Sequence, residues 1–265
     1  MLGFKNSVYR LIRMTKDNSK LLFHLVSLFI RKSTSGDTQC HFLVVKDRKY
    51  AKLSTYAIAS LMYFNRDVSV VVHTDDICYR SMNWRRIMVF GGKIRIVRVL
   101  SPSQDPMYEK ALLLLSLQGT TDFFLDADTR INGQIEACSN PTVLVKEFFL
   151  EDRTDWRVIL NFIVKKKGRF QMLNTSFFSW GGTNAHIELS NFKEFYEDYL
   201  SVDFQSILDL NSLQVKSYTR LVEQIFFSIT LSRFHIEAIK QSDRVVDHGV
   251  IESTYYGASG YRFGR

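Results

Sequence analysis

Residues 122–133 read DFFLDADTRING, and the reading of this stretch governs the rest of the chain. Phe123, Phe124 and Leu125 have the composition of a strand interior, a short run of aromatic and branched side chains bounded by turn formers. The apolar run stops at Asp126, and a second acid, Asp128, follows at once. In an extended chain residues i and i+2 point to one side, so the two carboxylates are expected to face one small volume. Alone they would repel and raise each other's pKa. A divalent cation such as Mg²⁺ or Mn²⁺ removes that conflict, because it takes oxygen ligands and leaves positions for water and a diphosphate. A solvated turn in which one Asp caps the next element is the competing reading of the triplet by itself.

Working outward towards the N-terminus, HFLVVK (residues 41–46) reads as a buried strand and residues 50–65 as a helix. VSVVVH (68–73) is a second strand that runs into TDD (74–76). A helix over 77–90, a strand over 93–99 and a helix over 107–119 then lead into the opening stretch. Strands and helices alternate with short joins, which predicts an α/β fold with a mainly parallel sheet and flanking helices. Ligands in such sheets bind beyond the carboxyl ends of the strands. KDRKY (46–50), HTDD (73–76) and DADT (126–129) all fall there, so three polar strand ends share one edge.

Beyond residue 140 the alternation weakens. Residues 142–149 and 170–180 read as strands, and 191–201 and 219–232 as helices, giving a mixed second half. The Gly- and Tyr-rich tail, 245–265, reads as a loop that returns to another part of the fold.

A hydrophobic fraction of 46% with 14% aromatics supplies a core and excludes global disorder. Three prolines, 13 glycines and no Pro/Gly/Ser-rich linker predict one catalytic-sized unit over 40–265 behind an N-terminal extension, 1–39. Cys40, Cys78 and Cys138 are odd in number and widely spaced, which fits a reduced, cytoplasmic setting rather than zinc. The net charge is +8, but residues 1–32 hold seven basic side chains against the single acid Asp17, so most of it is local. Nucleic acid is therefore not the expected partner. The same segment contains LLFHLVSLFI (21–30), too short to span a bilayer and followed by no small-residue cleavage site. Two readings stand for it: a basic amphipathic helix lying on an anionic membrane surface, or a helix packed on the protein body.

The order and spacing of these motifs resemble glycosyltransferases of the GT-A fold, and among them the galactosyltransferase and glycogenin type, over roughly residues 40–260. The resemblance implies a nucleotide-binding half over 40–130 and an acceptor half over 131–265. It also implies Mn²⁺ or Mg²⁺ as cofactor, a nucleoside-diphosphate sugar (a UDP-sugar) as donor, and a glycan or lipid-linked acceptor. Asp126 and Asp128 match its metal-binding strand end, and Lys110 its basic residue that touches the sugar nucleotide. Asn174, Thr175 and Ser176 match a donor-sugar strand beginning Asn-x-Gly, with Ser176 in place of the glycine. Glu223 and Gln224 match an Asp-Gln pair near the anomeric carbon. The tail matches a His-x-x-Gly-x-x-Lys segment only at Gly257; Thr254 stands where the His belongs and Gly260 where the Lys belongs. His248 is the substitute expected as third metal ligand, and Arg262 the substitute phosphate cation.

Each of these residues has a plainer role to compete with, such as a solvated lysine or an asparagine that caps a turn. Glu223 stands apart, because LVEQIFF buries a charge that then needs a partner. The nucleoside is expected against the first two strand ends, with Lys46 and Tyr50 on one and Asp75 or Asp76 on the other. Sugar transfer with retention is the implied chemistry. Two alternatives remain: a sugar-phosphate nucleotidyltransferase, whose Gly-rich loop is missing from KDRKYAK (46–52), and a non-catalytic, membrane-associated binding protein of the same fold.

Overall fold

The computed structural model describes residues 38–65, 67–88, 93–100, 105–135, 140–163, 169–209, 212–233, 239–240 and 246–248. The basic segment 1–37 lies outside them. β1 (Gln39–Val44) starts and ends two residues earlier than expected. It stops at Val44 because Lys46 has a left-handed backbone, φ 69°, and its N–H donates to Asp75 Oδ2 at 2.7 Å instead of to a neighbouring strand. Asp47 then caps α1 (Arg48–Phe64) by accepting from the Lys49 N–H at 2.8 Å, one of the orphan donors of a first helical turn. β2 (Ser69–Thr74) follows, and Asp75 caps α2 (Asp76–Ser81) in the same way.

The single helix expected over 77–90 is instead α2 and a separate α3 (Trp84–Met88). The cause is local: the Trp84 indole N–H donates to the Tyr79 carbonyl at 2.5 Å, the acceptor that a continuing helix would give to the Asn83 N–H. β3 (Ile94–Arg98) and α4 (Pro106–Ser116) come next, the latter capped by Asp105 with a proline at its first position. β4 (Phe123–Leu125) is short and fully buried, β5 (Thr129–Ile131) follows a turn, and β6 (Thr142–Phe149) opens the second half. After a 3-10 turn come α5 (Thr154–Ile163), β7 (Gln171–Ser179) and α6 (Leu189–Leu200). α7 (Phe204–Leu208), α8 (Ser212–Thr219), α9 (Val222–Arg233), β8 (Ile239–Lys240) and β9 (Val246–His248) complete the described elements.

Among the described residues the main sheet has seven strands in the order β3-β2-β1-β4-β7-β6-β8. β1 to β4 are parallel, β7 runs antiparallel between β4 and β6, and β8 is parallel to β6. The architecture is therefore α/β with a mainly parallel sheet, and the one reversed strand is what breaks the alternation after residue 140. The pleat of β4 divides the core. Phe123 and Leu125 join Phe42, Val70 and Val72 against Leu53, Ala57 and Ile58 of α1. Phe124, on the opposite face, joins Phe178 and Val143 against Leu114 of α4, Phe192 of α6 and Phe227 of α9. At about 25 cal/mol per Å² of apolar area, each buried phenylalanine adds roughly 2 kcal/mol. The same pleat carries the next residue on the α4/α9 side, Asp126, to the carboxyl edge.

A polar chain crosses the sheet at His41, which is 6% exposed. Its Nδ1 lies 2.9 Å from His73 Nε2, the rings stack at 5.2 Å, and its Nε2 is 3.5 Å from Asp122 Oδ2. Burial first, then the charges of His41 and Arg95, pull the His73 pKa down to about 4. The unfolded chain therefore takes up a proton near pH 6.5 that the folded chain resists until about pH 4. Stability associated with His73 is full above pH 6.5 and falls by roughly 3 kcal/mol as pH drops to about 4. Urea denaturation across that range will show the loss, and H73L will show a shallower slope; equal slopes would remove this account.

Candidate active site

Four elements deliver the site. α4 points Lys110 inwards, next to Ala111 and one turn before Leu114, which both share a core with Phe124, and the side chain is only 4% exposed. Its ammonium lies 2.9 Å from Asp126 Oδ1, 3.0 Å from Oδ2 and 3.3 Å from Glu223 Oε1. The Phe124 ring sits 5.2 Å away and closes that side from water. Glu223, in the first turn of α9, is 0% exposed, and its Oε1 also accepts from the Thr175 hydroxyl at 2.9 Å. The Asp126 N–H donates to the Ser176 carbonyl at 2.9 Å, so the hydrogen bonds close a ring through β4, α4, α9 and β7.

Electrostatics follow from that geometry. Burial works against the Lys110 charge, but the Asp126 and Glu223 carboxylates more than offset it, so its pKa is raised and it stays an ammonium. Burial pushes the Glu223 carboxyl up, opposed by Lys110 and by the Thr175 hydroxyl. Among the described residues the Lys110 ammonium faces two carboxylates, Asp126 and Glu223, a surplus of acid that favours a further cation.

The opening triplet is not extended. β4 ends at Leu125, and the Thr129 N–H donates to the Asp126 carbonyl at 3.1 Å, closing a turn over Asp126 to Thr129. Asp126 and Asp128 share the turn, not one side of a strand, and Asp128 is half-buried. The rest of the stretch is pinned to α1: Ile131 N–H donates to Ser60 Oγ at 3.0 Å, and Asn65 holds Gly133 and Ile135 by its amide. β5 pairs antiparallel with β9, with His248 opposite Thr129 in the register. The tail thus returns to the residue after Asp128.

A metal fits this donor set by its chemistry. Asp126 gives one lone pair per oxygen to Lys110 and retains others, Asp128 adds a second hard oxygen donor, and the β9 backbone brings His248 opposite the turn. Among the described residues no three His, Cys, Asp or Glu side chains converge as a complete ligand group.

The remaining expected residues divide clearly. Asn174 Oδ1 accepts the Ser176 N–H at 3.1 Å and so shapes β7 beside Asp126. Thr175, expected against a donor sugar, is buried and spends its hydroxyl on Glu223. Gln224 is adjacent to Glu223, and its backbone carbonyl accepts from Ser228 at 2.6 Å. Asp75, expected near a ribose, is 6% exposed, and its two oxygens cap α2 and hold the Lys46 N–H. Through those two bonds it braces the end of β1 against the end of β2. Asp76 pairs at the surface with Arg98 at 2.9 Å. Lys46 and Tyr50 are exposed at the end of β1, with Lys49 Nζ 5.9 Å from the Tyr50 ring. Gly257 and Arg262 lie outside the described residues.

Among the described residues, Ser176 Oγ, Glu223 Oε2, Gln224 Oε1 and Thr129 Oγ1 are buried oxygens with no hydrogen-bond partner. Buried polar atoms are normally paired, so unpaired ones mark a place for a ligand or an ion. Thr129 and Phe124 are the members of this cluster that the sequence reading did not single out. Their only signal was adjacency to Asp126 and Asp128.

No protein-family model and no curated protein sequence matches the chain. Among solved structures it is similar to the galactosyltransferase LgtC in complex with donor and acceptor sugar analogues, at 16% identity and a TM-score of 0.47, over 80% of this chain and 86% of that one. It is also similar to the glycosyltransferase GlyE of Streptococcus pneumoniae, at 10% identity and a TM-score of 0.40, over 79% of this chain and 46% of that one. A transferase variant shares 10% identity at a TM-score of 0.41 over 81% and 95%. These likenesses concern overall shape.

Proposed function

We propose that the chain is a metal-dependent glycosyltransferase that moves a sugar from a nucleoside-diphosphate sugar, a UDP-sugar first, onto a glycan or lipid-linked acceptor with retention. The observation that carries this reading is the buried Lys110 ammonium, clamped between Asp126 and Glu223 at the root of the turn that bears Asp128. A bare structural ion pair would need only one carboxylate. Two around one lysine, with buried acceptor oxygens near them unpaired among the described residues, suit a site completed by a cation and a polyhydroxylated ligand.

In this reading Asp126 and Asp128, with His248 from β9, hold Mn²⁺ or Mg²⁺. The ion, when bound, neutralises the diphosphate as it departs. Lys110 fixes the orientation of Asp126 and adds a preorganised positive charge beside the leaving group. Ser176 Oγ, Glu223 Oε2 and Gln224 Oε1 accept from the sugar's hydroxyls, with Asn174 beside them. Glu223 or Gln224 supplies the polar atom next to the anomeric carbon that retention requires. The nucleoside lies against Lys46 and Tyr50, and Gly257 and Arg262 of the tail close over the diphosphate. Residues 40–265 form the catalytic unit, divided near residue 130 into donor and acceptor halves.

The basic N-terminus, 1–39, would keep the enzyme on the inner, anionic membrane surface near its acceptor. No described helix is long and apolar enough to cross a membrane. The deciding experiment is a thermal-shift and turnover screen of UDP-, GDP- and other nucleotide sugars, with and without Mn²⁺. A Mn²⁺-dependent shift and release of nucleoside diphosphate are expected for at least one donor. Neither response with any donor would end the proposal.

A further inference from the structure

The hydrogen bonds around Glu223 are shared unequally. Oε1 takes both available donors, Lys110 Nζ at 3.3 Å and Thr175 Oγ1 at 2.9 Å. Oε2, equally buried, takes none among the described residues. A glutamate has three side-chain torsions and would lose that asymmetry if either donor let it turn.

Lys110 cannot hold it alone, because the same ammonium is committed to both oxygens of Asp126 at the shorter distances of 2.9 and 3.0 Å. Tyr199 of α6 also feels the Glu223 charge, but its hydroxyl donates to the Tyr218 carbonyl at 2.7 Å. Thr175, in contrast, is well placed to fix an orientation. It is 0% exposed on a central strand, β-branched and therefore stiff. Its strand is tied to the same helix two residues away, where the Leu173 N–H donates to Ser228 Oγ at 3.0 Å.

We infer that Thr175 is a positioning residue: its hydroxyl locks Glu223 with Oε1 turned to the protein and Oε2 left as the oxygen offered to a substrate hydroxyl. The inference rests on the sugar-transfer reading for its catalytic meaning and on the contacts above for its geometry. It replaces the sugar contact expected of Thr175 with an indirect role.

The test uses the full chain with the donor and Mn²⁺ selected by the screen. T175V keeps shape and removes the hydroxyl, and T175S restores it. Loss of a hydrogen bond to a charged group is worth about tenfold to a hundredfold. T175V should therefore lower kcat by about that factor with donor KM changed less than about twofold, and T175S should stay within about threefold of wild type. Equal kcat in T175V, or an equal loss in T175S, overturns the inference. If the valine chain does not fold, T175A takes its place with the same criteria. A wild type that turns over no donor is the failure of the sugar-transfer reading instead. In that event the double-mutant cycle of T175V and E223Q in urea denaturation decides the geometry. Coupling of tenfold or more in the folding equilibrium sustains Thr175 as the group that holds Glu223, and additivity overturns it.

Discussion

Lys110→Met will cost about 3–5 kcal/mol of folding stability and all detectable sugar transfer, because it removes the ammonium that two buried carboxylates share. Methionine matches the stem in volume, so the loss reads the charge and not a cavity. With the ammonium gone, burial acts on Glu223 unopposed by its main counter-charge, and that carboxyl can only relax by taking up a proton. The variant should therefore recover part of its stability as the pH is lowered, opposite to the fall associated with His73. Urea denaturation at two pH values measures both effects. A loss below about 1 kcal/mol would mean that the ion pairs of Lys110 contribute little to folding and would overturn this account.

The second large effect separates the two acids of the turn. Asp126→Ala and Asp128→Ala should each weaken Mn²⁺-dependent donor binding by at least about a hundredfold, since each removes a hard oxygen ligand. Asp126→Ala should also lower the melting temperature, because its carboxylate is the closest partner of Lys110, a contact that Asp128 does not share. The loss should be moderate, on the order of 1–3 kcal/mol, because Lys110 keeps Glu223. Calorimetric titration of donor with and without Mn²⁺, paired with thermal melts, checks the split. Unchanged binding in either variant would remove that residue from the metal site.

The sequence carried the first half of the fold well, because parallel strands buried on both faces write continuous apolar runs such as HFLVV and VSVVV. It also pointed to Lys110, Asp126 and Glu223, the last through a charge lodged in an apolar run. Other features depend on contacts that no local pattern encodes. The break between α2 and α3 needs the Trp84 indole on the Tyr79 carbonyl. The turn after Leu125 replaces an extended triplet because Thr129 bonds back to Asp126. β6 and β7 pair with register shifts after Val143 and Val145, which blurs alternation. The bracing role of Asp75 is likewise set by a contact distant in sequence, because beside its local cap on Cys78 it depends on where Lys46 lies.

The pairing of β5 with β9 also bears on when the turn after β4 acquires its neighbour. The turn that carries Asp126 and Asp128 is made early in synthesis, but the strand laid against it, with His248 opposite Thr129, is made about 120 residues later. A nascent chain can build the four parallel strands and α1 while the turn still lacks that neighbour. At typical synthesis rates of about 5–20 residues per second, the interval is on the order of ten seconds. The surroundings of the Asp126–Asp128 turn therefore wait on β9, and a chain shortened before Val246 should build its parallel strands without that pairing.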